Sequence, residues 1–291
     1  MAAKHHVIRS ISLPSRSHPT TLGVEEELNR LQTSSSFDST SDSICKPLCG
    51  LDELYECVDD ILQMASTQQL LSQHQQKKFM DELLDGSLVR LLDICSITRD
   101  AISTIKEHVR DLQSTLRRRK GDSSLESSIS KYTCFRKKMN KDAKKLITSL
   151  KQVDNKIATS PLLEQDHHLT AVIRVLREVC VENMSIFQSL LVFLAVPVSK
   201  PKSNKWSLVP KFMHKGVIAC EDQKEYINGH EFDGVDAALY NLCKSSTATF
   251  ECSNKRLEAL EVTIEGLENG LESVFRGMIK TRAFLLNILL Q

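Results

Sequence analysis

The apolar positions from Leu84 to Leu116 recur at gaps that alternate four and three residues. They are Leu84, Leu88, Leu91, Cys95, Thr98, Ile102, Ile105, Val109, Leu112 and Leu116. A period of about 3.5 residues holds one seam of a helix against a partner helix along its length. Thr98 is the one polar member, and its methyl can still pack. Leu92, Ile94, Ile97 and Ala101 widen the seam, which predicts contact with more than one neighbour. Near the C-terminus, Leu257, Leu260, Ile264, Leu267, Leu271, Val274, Met278, Thr281, Leu285 and Ile288 repeat the pattern over a matching length. Two seams of equal reach and period predict two long helices paired with each other inside one bundle.

Shorter seams account for the rest. Val24, Leu28 and Leu31 predict a short helix, capped by Thr20 or Thr21, with Glu25 to Glu27 in its first turn where the helix dipole favours negative charge. Leu48, Leu51, Tyr55, Val58 and Leu62 predict a helix from Pro47 to Met64, with proline in its first turn. Leu125, Ile129 and Tyr132, then Met139, Ala143, Leu146, Leu150, Val153 and Ile157, form another helix that Ser160-Pro161 stops. Leu169, Val172, Leu176, Val179, Ile186, Leu190 and Leu194 form the next, capped by Asp166 and ended by Pro197. Leu239, Leu242 and Phe250 extend the last long helix backwards.

Breaks in the pattern mark the joints. Residues 1–20 have no periodicity and many serines and prolines, the composition of a disordered tail. Thr33 to Ser43 reads as a flexible linker, and Gln68 to Gln76 is a polar lead into Phe79, Leu83 and Leu84. Asp85-Gly86-Ser87 could break the long helix. Glycine costs about 1 kcal/mol in a helix interior, which packing can override, so continuity or a mild kink is expected. Arg117-Arg118-Arg119-Lys120-Gly121 ends the long helix with cations and then glycine. From residue 197 to 234, prolines, glycines and lysines surround the single tryptophan, Trp206, in an irregular basic loop. The expected organisation is a mostly disordered tail with one short helix over residues 1–45, then a helical bundle domain over residues 46–291.

Composition supports helices and narrows the chemistry. Aromatics are 5%, and glycine and proline are few at 10 and 7, which favours helices over sheets. Lys plus Arg is 38 against 37 for Asp plus Glu, so net charge gives no reason to expect nucleic-acid binding. Nine cysteines without a C-x-x-C suggest structural thiols in a reduced, intracellular, cytoplasmic protein. No metal or other cofactor is expected: Cys45 and Cys49 lack further ligands nearby. No apolar run reaches the roughly 18 residues of a membrane span. The N-terminus lacks a secretory core. It is free of acidic residues up to Glu25 and carries Lys4, Arg9 and Arg16, a composition also compatible with an organelle transit peptide.

Three features invite a functional reading. Lys131, Arg136, Lys137, Lys138, Lys141, Lys144, Lys145 and Lys151 form a basic run that could bind phosphate groups of lipid or nucleic acid. Within it, Lys137, Lys141, Lys144 and Lys151 lie on one stripe, while Glu258, Glu261, Glu265, Glu268 and Glu272 form an acidic stripe beside the final seam. Complementary stripes of this kind select neighbouring helices, so the two are expected to pair inside the bundle. Arg9, Ser10, Ser12 and Pro14 fit R-S-x-S-x-P, the pattern 14-3-3 proteins read when the second serine is phosphorylated. Gly266 and Gly270 form a G-x-x-x-G; interleaved glutamates make close soluble helix packing, or no special role, the better reading than membrane dimerisation. His5-His6 and His167-His168 have no carboxylates or cysteines at metal-site or catalytic spacing and read as solvent-exposed, and no phosphate-binding or hydrolase motif occurs.

Four stretches in order also resemble the plant-specific Bypass-one-related family: Arg9 to Arg16 with His18-Pro19, Val24 to Leu31, Asp81 to Cys95, and Leu271 to Arg276 continuing through Ile279 to Leu289. The resemblance implies an all-helical protein without known enzymatic activity, linked to root and shoot development, with no catalytic or binding residues to carry over. Arg276-Gly277 departs from the family's usual second basic residue at this place. The combined expectation is an all-α, elongated, monomeric bundle of five or six long antiparallel helices with coiled-coil-like seams. It would act as a non-enzymatic interaction protein in plant development. The alternative is a peripheral membrane or phospholipid adaptor that uses two basic patches, Lys131 to Lys151, with Lys137, Lys141, Lys144 and Lys145 among them, and Lys200 to Lys215.

Overall fold

The computed structural model describes residues 21–34, 41–72, 82–118, 122–158, 167–198, 231–242 and 248–290. The Arg9, Ser10, Ser12, Pro14 motif, the helix stops at Gly121 and Pro161, the Asp166 cap and residues 199–230 of the expected basic loop lie outside them, whereas residues 231–234 of that loop are helical instead.

Every described element is helical. They are α1 (Leu22–Ser34), α2 (Asp42–Gln63), α3 (Ala65–Leu71), a π-helical turn (Glu82–Leu88), α4 (Val89–Arg117), α5 (Asp122–Ala158), α6 (His167–Leu194), α7 (Glu231–Leu242) and α8 (Ala248–Leu289). All ten positions of each long seam are buried, and Val109, Leu267 and Leu271 are fully so. Thr98 fits by turning its hydroxyl back to the Ile94 carbonyl at 2.7 Å.

Five long helices close into a ring in the order α2, α8, α4, α5, α6, with α6 returning to α2. Directions follow from paired residues. Arg117 meets Glu258 and Arg99 meets Glu272, so α4 and α8 are antiparallel as their matching seams required. Thr115 meets Ser128 and His108 meets Phe135, so α4 and α5 are antiparallel too. A ring of five cannot alternate throughout, and the odd pair is α2 with α8. Cys45 lies beside Gly266, Leu48 beside Gly270, Tyr55 beside Gly277, and Asp59 accepts from Thr281 Oγ1, so these two helices run parallel. The expected antiparallel arrangement therefore fails at this one interface.

The glycines explain how that interface closes. A Cβ built on Gly270 would lie 2.9 Å from Leu48 Cβ, and one on Gly277 would lie 2.8 Å from the Tyr55 ring. Only a helix lacking side chains at these points can let α2 approach so near, which is the close soluble packing expected of the G-x-x-x-G. A long basic side chain at position 277 would meet the same ring.

Three further differences have local causes. The helix expected from Pro47 begins at Asp42, so Pro47 sits inside α2 and removes one rung of the ladder. Asp85-Gly86-Ser87 neither breaks nor simply continues the long helix; the wider π-turn absorbs it and leads into α4 at Leu88, whose backbone is already helical. Leu239 and Leu242 do not extend α8 backwards. Arg256 donates to the Gly234 carbonyl at 2.8 Å, whereas 22 residues of one continuous helix would separate them by about 33 Å. They lie on α7, which folds back against α8.

The small helices fasten the ring. α1 buries Val24, Leu28 and Leu31, and Arg174 of α6 pairs with Glu25 at 2.6 Å. Glu231, the first residue of α7, accepts from the Ser41 N–H at 3.1 Å, placing a carboxylate at the start of α2 where the helix dipole welcomes it.

Candidate functional site

The acidic stripe of α8 is matched, but by α4. Arg110 pairs with Glu261 at 2.7 Å and Glu265 at 3.1 Å, and Lys106 pairs with Glu268 at 2.6 Å and Glu265 at 3.4 Å. Arg99 with Glu272 and Arg117 with Glu258 complete the row. The hydrogen bond to Glu268 raises the Lys106 ammonium above the usual lysine value, and the bond from Arg110 holds the Glu261 carboxyl below its own. The expected α5 partner is thus corrected. The stripe did select a neighbour, but the cations beside the α4 seam are nearer in space than the α5 lysines.

That leaves the α5 lysines facing solvent. Lys131, Lys137, Lys138, Lys141, Lys144, Lys145 and Lys151 are all exposed. Among the described residues only Lys145 of this row has an ion-pair partner, Asp142 on its own helix at 2.9 Å. Seven cations along about 30 Å of helix make the outer face of α5 a continuous basic row.

Arg136 leaves that row altogether. It is fully buried, at the step where the α5 seam skips from Tyr132 to Met139. Its Nη2 lies 3.5 Å from Asp236 Oδ2 on α7 and 3.3 Å from the Val196 carbonyl that follows α6. Its guanidinium stacks on Phe232 of α7, and Asn140 donates to the Ala195 carbonyl one turn on. Tyr132 is buried beside the pair. Burial outweighs the attraction of Arg136 and raises the Asp236 carboxyl above its usual value. This cluster joins α5, α6 and α7, and so fixes the helix that carries the lysines. The signal was present in sequence: the one gap in the α5 seam holds an arginine.

Beside the lysine row, between α4 and α5, runs a groove of about 180 Å³ lined by Ile97, Ala101, Phe135 and Lys138, with Leu191 and Leu194 of α6 at its base. It is smaller than the about 300–1,000 Å³ of small-molecule sites. Among the described residues no three His, Cys, Asp or Glu side chains are placed to hold a metal ion. Cys95 and Cys180 are buried in the bundle and each thiol is pushed up to about 12, which suits packing and not nucleophilic chemistry. No described helix is long and apolar enough to cross a membrane.

A closed ring of long helices with buried seams, short fastening helices and a charged outer row defines an all-helical bundle protein. The family model described as Protein BPS1 matches residues 47–288, so the chain belongs to that family. No curated protein matches the chain. No solved structure matches it.

Proposed function

We propose that this chain is a non-enzymatic protein-interaction factor acting in the control of root and shoot development. Membership of the BPS1 family supports the developmental setting. The observation that carries the interaction reading is the exposed lysine row of α5, held outward by the buried Arg136 anchor. Both long seams face inward, so partners meet the outer faces and the N-terminal tail. Proximity labelling in root and shoot tissue tests this. Wild-type chain should label a defined set of proteins, and a Lys137→Glu, Lys141→Glu, Lys144→Glu variant should lose part of it. An identical set from both would sink the role of the row.

Within this reading, phosphorylation of Ser12 creates a 14-3-3 ligand held through Arg9 and Pro14. A phosphorylated tail peptide that recovers no 14-3-3 protein would remove that partner. The same lysine row also supports a second reading, a peripheral adaptor on anionic membranes, since each lysine near such a surface contributes about 1 kcal/mol. Salt-sensitive binding to anionic liposomes would favour it; no binding would leave the protein-interaction reading alone.

A further inference from the structure

We propose that the groove between α4 and α5 receives one amphipathic helix of a partner protein. Its apolar ridge seats on Ile97 and Phe135, its acidic flank lies over α5 and its basic flank over α4. The inference rests on the protein-interaction reading and specifies the partner's chemistry.

The two edges of α4 differ. One edge faces α8, where Arg99, Lys106, Arg110 and Arg117 all have carboxylate partners. The other edge faces the groove. There Asp93, Asp100 and Glu107 recur every seven residues, with Asp111 a turn further, and all four are exposed. Opposite them, Lys131, Lys138 and Lys145 recur every seven residues along the α5 edge, also exposed. No ion pair joins these two rows among the described residues; Lys145 reaches only Asp142 of its own helix. The groove thus has an acidic wall on α4 and, apart from Asp142, a basic wall on α5.

Its floor is apolar. Ile97 is 48% exposed, an unusual fate for an isoleucine beside a fully buried seam. Ala101, Phe135 and Leu146 are half-buried next to it, above the buried Leu191 and Leu194. An apolar strip flanked by rows of opposite sign is the surface one helix presents to another in a coiled-coil-like pair. Helix-in-groove recognition uses such a strip for affinity and the flanks for selection. The volume takes one or two bulky side chains at a time and does not enclose a small ligand. A flat anionic membrane fits less well, because Asp93, Asp100 and Glu107 would be carried to the surface with the lysines.

Three synthetic helices of about six turns with one leucine ridge test this against the full chain by fluorescence anisotropy. One has glutamates on one flank and lysines on the other, one has glutamates on both, and one has lysines on both. The mixed helix should bind about tenfold or more tighter than either uniform helix, since each uniform helix sets like charges against one wall. Ile97→Glu should abolish binding; the site is half exposed, so the fold tolerates the change. Lys131→Glu, Lys138→Glu, Lys145→Glu should move the preference to the all-lysine helix, because both walls become acidic. No binding, equal binding of the three helices, or an unchanged preference in the triple variant would overturn the proposal. So would a chain dimer in sedimentation that Ile97→Glu dissociates, which would put a second copy in the groove. So would phosphatidylserine vesicles that displace the mixed helix from wild type. Failure of tissue labelling alone would count against the proposed function and leave the peptide preference standing.

Discussion

The guanidinium carbon of Arg136 lies 4.0 Å from the centroid of the Phe232 ring, and the nearest carboxylate, Asp236, comes from the same short helix as that ring. One buried side chain of α5 thus holds α7 by a stacking contact and a charge contact together. Arg136→Met leaves the buried Asp236 uncompensated and should lower unfolding stability in urea by about 3–5 kcal/mol. Adding Asp236→Leu should recover most of that loss, because an apolar pair needs no charge compensation. Equal loss in the single and double variants would mean that packing, not the ion pair, dominates here.

The α2–α8 interface gives a prediction of inverted sign. Glycine to alanine within a helix ordinarily stabilises by about 0.5–1 kcal/mol. Gly270→Ala and Gly277→Ala should instead each destabilise by about 1–3 kcal/mol, the usual range for overpacking. The new Cβ would meet Leu48 at 2.9 Å or the Tyr55 ring at 2.8 Å. Gly266→Ala meets only the Cys45 sulfur, at 3.2 Å, and should be milder. Thermal melts of the three variants decide the order.

Charge reversal separates the two basic rows. Arg110→Glu should lower the melting temperature slightly, and adding Glu261→Arg should restore part of it, since solvent screens a pair this exposed. Reversal of Lys137, Lys141 and Lys144 should leave the melting temperature unchanged, since none of them forms an intramolecular ion pair among the described residues. A clear loss from the α5 reversal would contradict the solvent-facing placement of these lysines.

Acid titration of stability reports the same row. The Arg110 hydrogen bond lowers the Glu261 carboxyl below its ordinary value of 4.5. A lowered acid contributes stability that is present above the unfolded value and is lost as pH falls through the folded one. Glu261→Gln should therefore flatten the acid limb of the stability curve below about pH 4.5. Asp236 has the opposite sign. Burial raises it, so its contribution is greatest below its ordinary value of 3.8 and is withdrawn as pH rises through the folded value. Urea melts across the acid range for the Glu261 variant would check the first trend, and an unaltered acid limb would count against it.

Much of the architecture was legible because apolar spacing is a local property. Every position of the two long seams, from Leu84 to Leu116 and from Leu257 to Ile288, is buried where the period put it. What a single helix's periodicity cannot carry is the identity and direction of its neighbour. The acidic stripe of α8 chose Arg110 over Lys141, and α2 docked parallel to α8, for reasons of ring closure that involve all five long helices. Arg136 was read with the exposed lysines because charge suggests solvent, although the interrupted seam at that position pointed inward. Gly234 and Arg256 touch because α7 folds back against α8, which the apolar residues Leu239, Leu242 and Phe250, read as one helix, concealed. The groove at Ile97 was visible only as a widened seam, since its floor also needs Leu191 and Leu194 of α6, which the pattern of α4 cannot place.

The central claim is that both long seams are satisfied within one chain, leaving the outer faces for partners. Light scattering on the full chain across a range of concentrations tests it most directly. The account predicts the mass of a single 291-residue chain throughout. A dimer that persists on dilution and separates only when the helices unfold would contradict it, because the seams would then be shared between two chains.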